Sequence, residues 1–92
     1  MSIVNHRALW REFKVSGLLV FDSVAQAYPQ DLPQSQLHKV FGLTELSLSC
    51  LAKHSRELVS LGYITRTKDP NDSRQFRLSL SDKGLVLWQS LQ

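Results

Sequence analysis

Five consecutive turn-forming residues, Asp69-Pro70-Asn71-Asp72-Ser73, separate two runs rich in β-branched and aromatic residues, Tyr63–Lys68 and Arg74–Leu80. Proline fixes φ, and Asn, Asp and Ser side chains bond to their own backbone, so the segment turns the chain rather than prolonging either run. The two runs therefore predict an antiparallel hairpin with a polar tip. Gly62, just before it, can take the left-handed conformation that ends a helix. Ser81-Asp82-Lys83, just after it, reads as the cap and first turn of another helix. A hairpin closed in by helices at both ends has to fold as a ribbon against a helical body.

The preceding residues supply that body. Residues 2–13 read as a helix with Val4, Ala8, Leu9 and Trp10 grouped on it. Ser16 is placed to cap a second helix running to about Tyr28, where Pro29 stops it. Leu18, Leu19, Phe21, Val24, Ala25 and Tyr28 form an apolar band on it that is too wide for an exposed surface, which makes it the expected core helix. Gln30–Pro33 is a short extended connection, because Pro33 disfavours helical geometry at Leu32. Pro33 or Gln34 then opens a short helix to about Phe41, with Leu37, Val40 and Phe41 inward, and Gly42 ends it. Leu43–Leu46 read as a turn, followed by a helix to about Leu61 whose N-cap is Thr44 or Ser47. The closing helix carries Leu85, Leu87, Trp88 and Leu91. The expected fold class is α+β and mostly helical: helices, a two-stranded antiparallel wing and a short C-terminal helix. All 92 residues form one domain.

A short helix, a turn and a longer helix make a helix-turn-helix, whose second helix enters the major groove of DNA. On that longer helix Leu48, Leu51, Ser55 and Leu58 share one face, with Ala52 and Val59 flanking them. Ser49, Lys53, Arg56 and Ser60 share another, with Cys50, His54 and Glu57 beside them. The first stripe fits a core. The second offers small polar groups at Ser47, Ser49 and Cys50 for close approach to base edges, and Lys53 and Arg56 to reach a guanine edge or a phosphate. The formal net charge is +3, and its placement is informative. Lys53, Arg56, Arg66, Lys68, Arg74 and Arg77 face only Glu57, Asp69 and Asp72 over the same stretch. Basic residues at Arg66, Lys68, Arg74 and Arg77 let the hairpin straddle the phosphate backbone, and an arginine near its tip can enter a narrow minor groove. The chain is therefore expected to bind double-stranded DNA.

From about Phe13 to Leu87 the pattern resembles the MarR family of bacterial transcriptional regulators, including its SarA-type branch. The most specific stretch is LVSLGYITRTKDPNDSRQFRLSLSDKG, Leu58–Gly84. It is similar to that family's Leu-x-x-x-Gly-Leu/Tyr-Ile end of the recognition helix, its Asp-x-x-Asp-x-Arg wing (here Asp69, Asp72 and Arg74) and its Leu-Thr/Ser-x-Lys-Gly helix start. The resemblance implies a winged helix-turn-helix regulator with its recognition helix at about 47–61 in the major groove. It puts the wing, about 63–80, on the backbone or in the minor groove, with Arg74 in the minor groove and Asp72 orienting an arginine or capping the turn. It further implies a homodimer reading two half-sites, often under control of a small ligand, a redox signal or a partner protein. The stretch from Gly42 to Gly62 is longer than the family's spacing, so the turn or the helix start differs. Trp10, Phe13, Trp88 and Leu91 read equally as dimer contacts or as core.

Other chemistry is thinly represented. One cysteine, Cys50, allows neither an internal disulfide nor a cysteine-based metal cluster and suits a reducing cytosol. It reads either as a small residue at the helix surface or as a redox-sensitive thiol beside Lys53 and His54. His6, His38 and His54 are scattered and read as surface or cap residues, so neither a metal nor a cofactor is expected. No Gly-rich phosphate loop, nucleophile elbow or acid pair appears, and an enzyme is not expected. MSIVNHRALWREF lacks the apolar core of a signal peptide, and the longest apolar run, Leu18–Phe21, is far short of a membrane span. A cytoplasmic protein without a membrane partner is expected. Two other roles fit the same fold. One, motivated by a closing helix shorter than the family's dimer helices, is a protein-interaction adaptor or an antagonist of another regulator. The other is a DNA-binding protein of plasmid or phage replication or partition.

Overall fold

The computed structural model describes residues 15–40 and 42–91. The helix expected over 2–13, with Trp10 and Phe13, and the inward Phe41 lie outside them. Helix α1 (Val15–Ala27) buries Gly17, Leu18, Val20, Phe21, Val24 and Ala25. These positions recur at the three- and four-residue spacing of a helix face, so α1 forms the central layer on which α2, β3 and α3 pack. Ser16 does not cap it, because Val15 and Ser16 are already helical. Its hydroxyl instead bonds to His54 Nε2 at 2.8 Å. After α1 the chain turns at a cis Tyr28–Pro29 bond.

The extended connection proves to be a strand. β1 (Leu32–Pro33) pairs antiparallel with β3 (Phe76–Leu80), which pairs antiparallel with β2 (Ile64–Lys68). The sheet thus has three strands in the order β1-β3-β2, one more than the two-stranded wing expected. Two residues leave too short a pattern to read as a strand, and only the partner reveals it. The short helix is a 3-10 helix, Gln34–Lys39, with Leu37 buried. The turn at 42–46 buries Leu43 completely.

Helix α2 (Leu48–Ser60) starts at Ser47, whose hydroxyl accepts the Cys50 N–H at 3.1 Å, which decides between the two cap candidates. Leu51, Ser55 and Leu58 are buried as expected. Leu48, assigned to the same stripe, is 62% exposed, because the first turn of α2 overhangs a cleft rather than the core. His54, expected at the surface, is only 5% exposed, with Ser16 of α1 bonded to its ring.

The end of α2 is tied to both elements that follow. Gly62 has φ +84°. Its N–H bonds to the Val59 carbonyl at 2.9 Å and that of Tyr63 to the Leu58 carbonyl at 3.0 Å, the paired bonds of a Schellman ending. Helix α3 (Asp82–Ser90) then starts against that ending. Its N-cap, Ser81, accepts the Gly84 N–H and donates to the Gly62 carbonyl, while Lys83 Nζ donates to the Leu61 carbonyl at 2.9 Å. Gly84 is buried, and a Cβ there would collide with the Tyr63 carbonyl and lie 2.8 Å from Leu80 Cδ1. Trp88 packs edge-on against Phe21, with ring centroids 6.4 Å apart.

The sheet carries one polar fastening. Arg77, on the central strand, donates from Nη2 to Asp31 Oδ1 at 2.8 Å and from Nη1 to Asp69 Oδ2 at 3.2 Å. Asp31 precedes β1 and Asp69 follows β2, so one guanidinium spans the sheet from edge to edge. The Arg77 hydrogen bond holds the Asp31 carboxyl below the ordinary range, and the Asn71 N–H followed by Arg77 does the same for Asp69. A carboxyl whose pKa is lowered on folding stabilises the fold above the unfolded value of about 4, and that stabilisation is lost as pH falls through the folded value.

Two outcomes are expected. Gly84→Ala lowers the unfolding free energy in urea by about 3 kcal/mol or more, since the colliding atom is backbone; an unchanged midpoint would refute this account of the junction. Between pH 5 and pH 2, on either side of that unfolded value of about 4, the parent chain loses more stability than Asp31→Asn. Parallel pH–stability curves for the two would show that the fastening contributes nothing.

Candidate nucleic-acid interface

Helix periodicity and strand pleating decide which basic side chains share a surface. On α2, Ser49, Lys53 and Arg56 are exposed along one face, with Ser47 exposed at its N-terminal end. Lys53 Nζ lies 4.0 Å from Glu57 Oε1, an exposed i,i+4 pair too weak to remove the lysine from other partners. Arg56 has no acidic partner among the described residues. Cys50 departs from this group. It is half-buried, with Sγ 3.7 Å from His54 Nε2, and so is turned towards the interior rather than along the cationic face. The ring of His54 also lies 3.7 Å from Glu57 Oε2, through an Nδ1 with no hydrogen-bond partner among the described residues.

In the wing, cross-strand pairs share a face. Arg66 opposes Leu78 and Lys68 opposes Phe76. Both basic residues therefore lie on the side of the sheet that holds Ile64, Leu78 and Leu80 against the helices. Arg77 opposes Thr67 and Pro33, on the reverse side. Three basic strand residues that look equivalent in sequence are thus divided by the pleat. Arg77, expected among the DNA-facing cations, is 28% exposed with both guanidinium ends engaged by carboxylates. Its pKa is raised by those two partners. It does not join the other basic residues.

Arg66 is held in place by its neighbours. Its Nε donates to Gln34 Oε1 at 3.0 Å, and its Cζ sits 3.6 Å above the centre of the Phe76 ring. Burial, and then the charge of Arg56, lower its pKa. A cation on α2 and one on the wing are therefore close enough to repel each other. Arg74, at the tip, is 89% exposed, with Nε 3.3 Å from Asp72 Oδ1. The same oxygen accepts the Arg74 N–H at 3.0 Å, so Asp72 both closes the wing turn and orients the arginine. Lys68 is exposed at the end of β2.

A cleft of about 300 Å³ separates the first turn of α2 from the wing, lined by Gln34, Ser35, Leu48, Arg66, Arg74, Gln75 and Phe76. Gln34, Phe76 and the exposed Leu48 were not among the residues expected at the interface. The stacking of Phe76 on Arg66 follows from the hairpin register once the turn is fixed. The part played by Gln34 depends on tertiary packing alone. The surface is suited to holding an extended anion: cations on two elements, small hydroxyls at a helix start and an apolar side chain between them. Among the described residues, no group of three His, Cys, Asp or Glu side chains could hold a metal ion. No described helix is long and apolar enough to cross a membrane.

No family model and no curated protein sequence matches the chain. Its fold does match solved structures. A cysteine-to-serine mutant of MarR from E. coli superposes with a TM-score of 0.70 at 22% identity, over 87% of this chain and 55% of that one. YusO from Bacillus subtilis gives 0.71 at 22% identity, over 89% and 55%. FabT from Streptococcus pneumoniae, solved in complex with DNA, gives 0.68 at 22% identity, over 85% and 51%. The chain spans about half the length of these proteins. Its fold is the winged helix-turn-helix of the MarR structures.

Proposed function

We propose that this chain is a MarR-type, sequence-specific regulator that binds double-stranded DNA, and that it is a binding protein rather than an enzyme. The observation that carries the reading is the cleft between α2 and the wing: Arg66 and Arg74 line it on the wing, and Lys53 and Arg56 stand exposed on α2 beside it. Like charges held together cost free energy that a phosphate backbone repays. Structures of similar fold support the reading, since the same MarR mutant was solved with operator DNA, and reduced AbfR and FabT were solved bound to DNA.

In this reading α2 enters the major groove by its N-terminal half. Ser47 and Ser49 approach the backbone, Lys53 and Arg56 reach base edges or phosphates, and Leu48 offers an apolar contact to a thymine methyl. Arg66 and Lys68 follow the phosphates, and Arg74 extends from the wing tip towards the minor groove. Cys50 supports the helix from its inner side. A homodimer on two half-sites about one helical turn apart, in the cytoplasm, completes the proposal.

The test is a fluorescence-anisotropy titration with duplexes selected from a random-sequence library. Lys53→Ala and Arg74→Ala should each weaken binding by about five- to a hundredfold. Removing a phosphate contact should also flatten the plot of log K against log salt by about one unit of slope. If no duplex is enriched, or if retention is insensitive to salt, DNA binding is not the function.

A further inference from the structure

Arg77 is the basic wing residue that the cationic face leaves aside, and its partners indicate another role. It lies on the central strand of a three-stranded sheet, on the side away from Arg66 and Lys68. The two carboxylates it holds belong to different parts of the chain. Asp31 directly precedes β1, the edge strand outside the hairpin, which the chain enters on leaving α1. Asp69 is the first residue after β2 and organises the wing turn. Its Oδ1 accepts the Asn71 N–H at 2.8 Å, and its own N–H bonds to the Gln75 carbonyl at 3.0 Å. The guanidinium therefore joins the hairpin to the segment entering β1 at one end and to the wing turn at the other. Asp69 is in turn close along the wing turn to a second carboxylate, Asp72, which orients Arg74.

We infer that Arg77 is a positioning residue: with Asp31 and Asp69 it forms a clasp on the rear of the sheet that sets where the wing tip, and so Arg74, stands relative to α2. A planar fork with nitrogens at both ends can hold two carboxylates at once, and a lysine offers one point charge. Asp31 is the informative partner. It carries negative charge on a protein proposed to bind a polyanion, so charge alone makes its removal favourable to binding. The clasp makes its removal harmful. The two expectations have opposite signs.

The inference rests on the DNA-binding reading, and the experiment separates the two. Duplexes selected by the parent chain are titrated with Asp31→Asn and Arg77→Lys, each made also in Lys53→Ala and Arg74→Ala backgrounds, with thermal unfolding run on every variant. Asp31→Asn is expected to weaken binding about two- to fivefold, as for loss of a partly exposed ion pair, despite the more positive protein. Arg77→Lys, which keeps the charge, should weaken it similarly. Both losses should persist beside Lys53→Ala and vanish beside Arg74→Ala, because a clasp that acts through the wing tip has nothing left to position there. A general loss of stability would instead weaken binding in both backgrounds, and that outcome overturns the inference. So does tighter or unchanged binding by Asp31→Asn, or full affinity in Arg77→Lys, either of which would free Arg77 to be a direct phosphate contact. If the parent chain selects no duplex, the functional reading itself fails.

Discussion

The junction at the end of α2 fixes the geometry on which every other feature depends. The helix end leaves four carbonyls, those of Leu58 to Leu61, without an intrahelical partner, and three of them, Leu58, Val59 and Leu61, find one at this junction. Backbone bonds from Tyr63 and Gly62 satisfy two, and Lys83 of α3 satisfies the third from outside the helix. Ser81 adds a bond to the Gly62 carbonyl while capping α3, and the missing Cβ of Gly84 lets α3 start directly against Tyr63. A helix end, a strand start and a second helix start thus share a few residues and one set of hydrogen bonds. The angle between α2 and the wing is a consequence of that sharing, because neither element can rotate without breaking a bond that belongs to the other.

This arrangement accounts for what was legible in the sequence. The helix ending at Gly62, the polar turn at 69–73 and the Ser81 cap on the Gly84 N–H act through local bonds, between residues close in the chain, and each leaves a short-range signature in residue type. The order of elements and the buried Leu51 and Leu58 follow from the same kind of signal, which left Thr44 and Ser47 both open as the cap of α2. Features set by distant partners were not legible. β1 needs β3 beside it to be a strand at all. His54 lies on a polar edge by helix periodicity, yet it is buried where α1 brings Ser16 to its ring, 38 residues away in sequence. Leu48 fits the apolar stripe by spacing and is exposed because the core ends one turn later. Periodicity states which residues share a face, and only packing states how far along the helix that face is covered.

The candidate interface divides along the same line. Ser49, Lys53 and Arg56 could be placed by counting along one helix. The wing could not be resolved by counting basic residues, because alternation in a strand sends neighbours to opposite sides. Register and turn length together assign Arg66 and Lys68 to one side and Arg77 to the other. The hairpin therefore separates two jobs that an unaligned list of arginines would merge. One side presents charge, and the other neutralises it.

That separation has an electrostatic logic. Arg66 keeps its terminal nitrogens without a partner among the described residues, since its bond to Gln34 uses Nε and Phe76 supports only the flat of the guanidinium. A neutral amide and an aromatic face orient the cation without cancelling its charge, which leaves the full field for a ligand. Arg77 has the opposite surroundings, two carboxylates that consume its charge and convert it into a structural tie. Arg74 lies between these extremes: a single Asp72 oxygen orients it while the side chain stays exposed. The identity of the neighbour, amide, ring or carboxylate, is what determines whether an arginine in this wing is available to an anion or holds the wing in place.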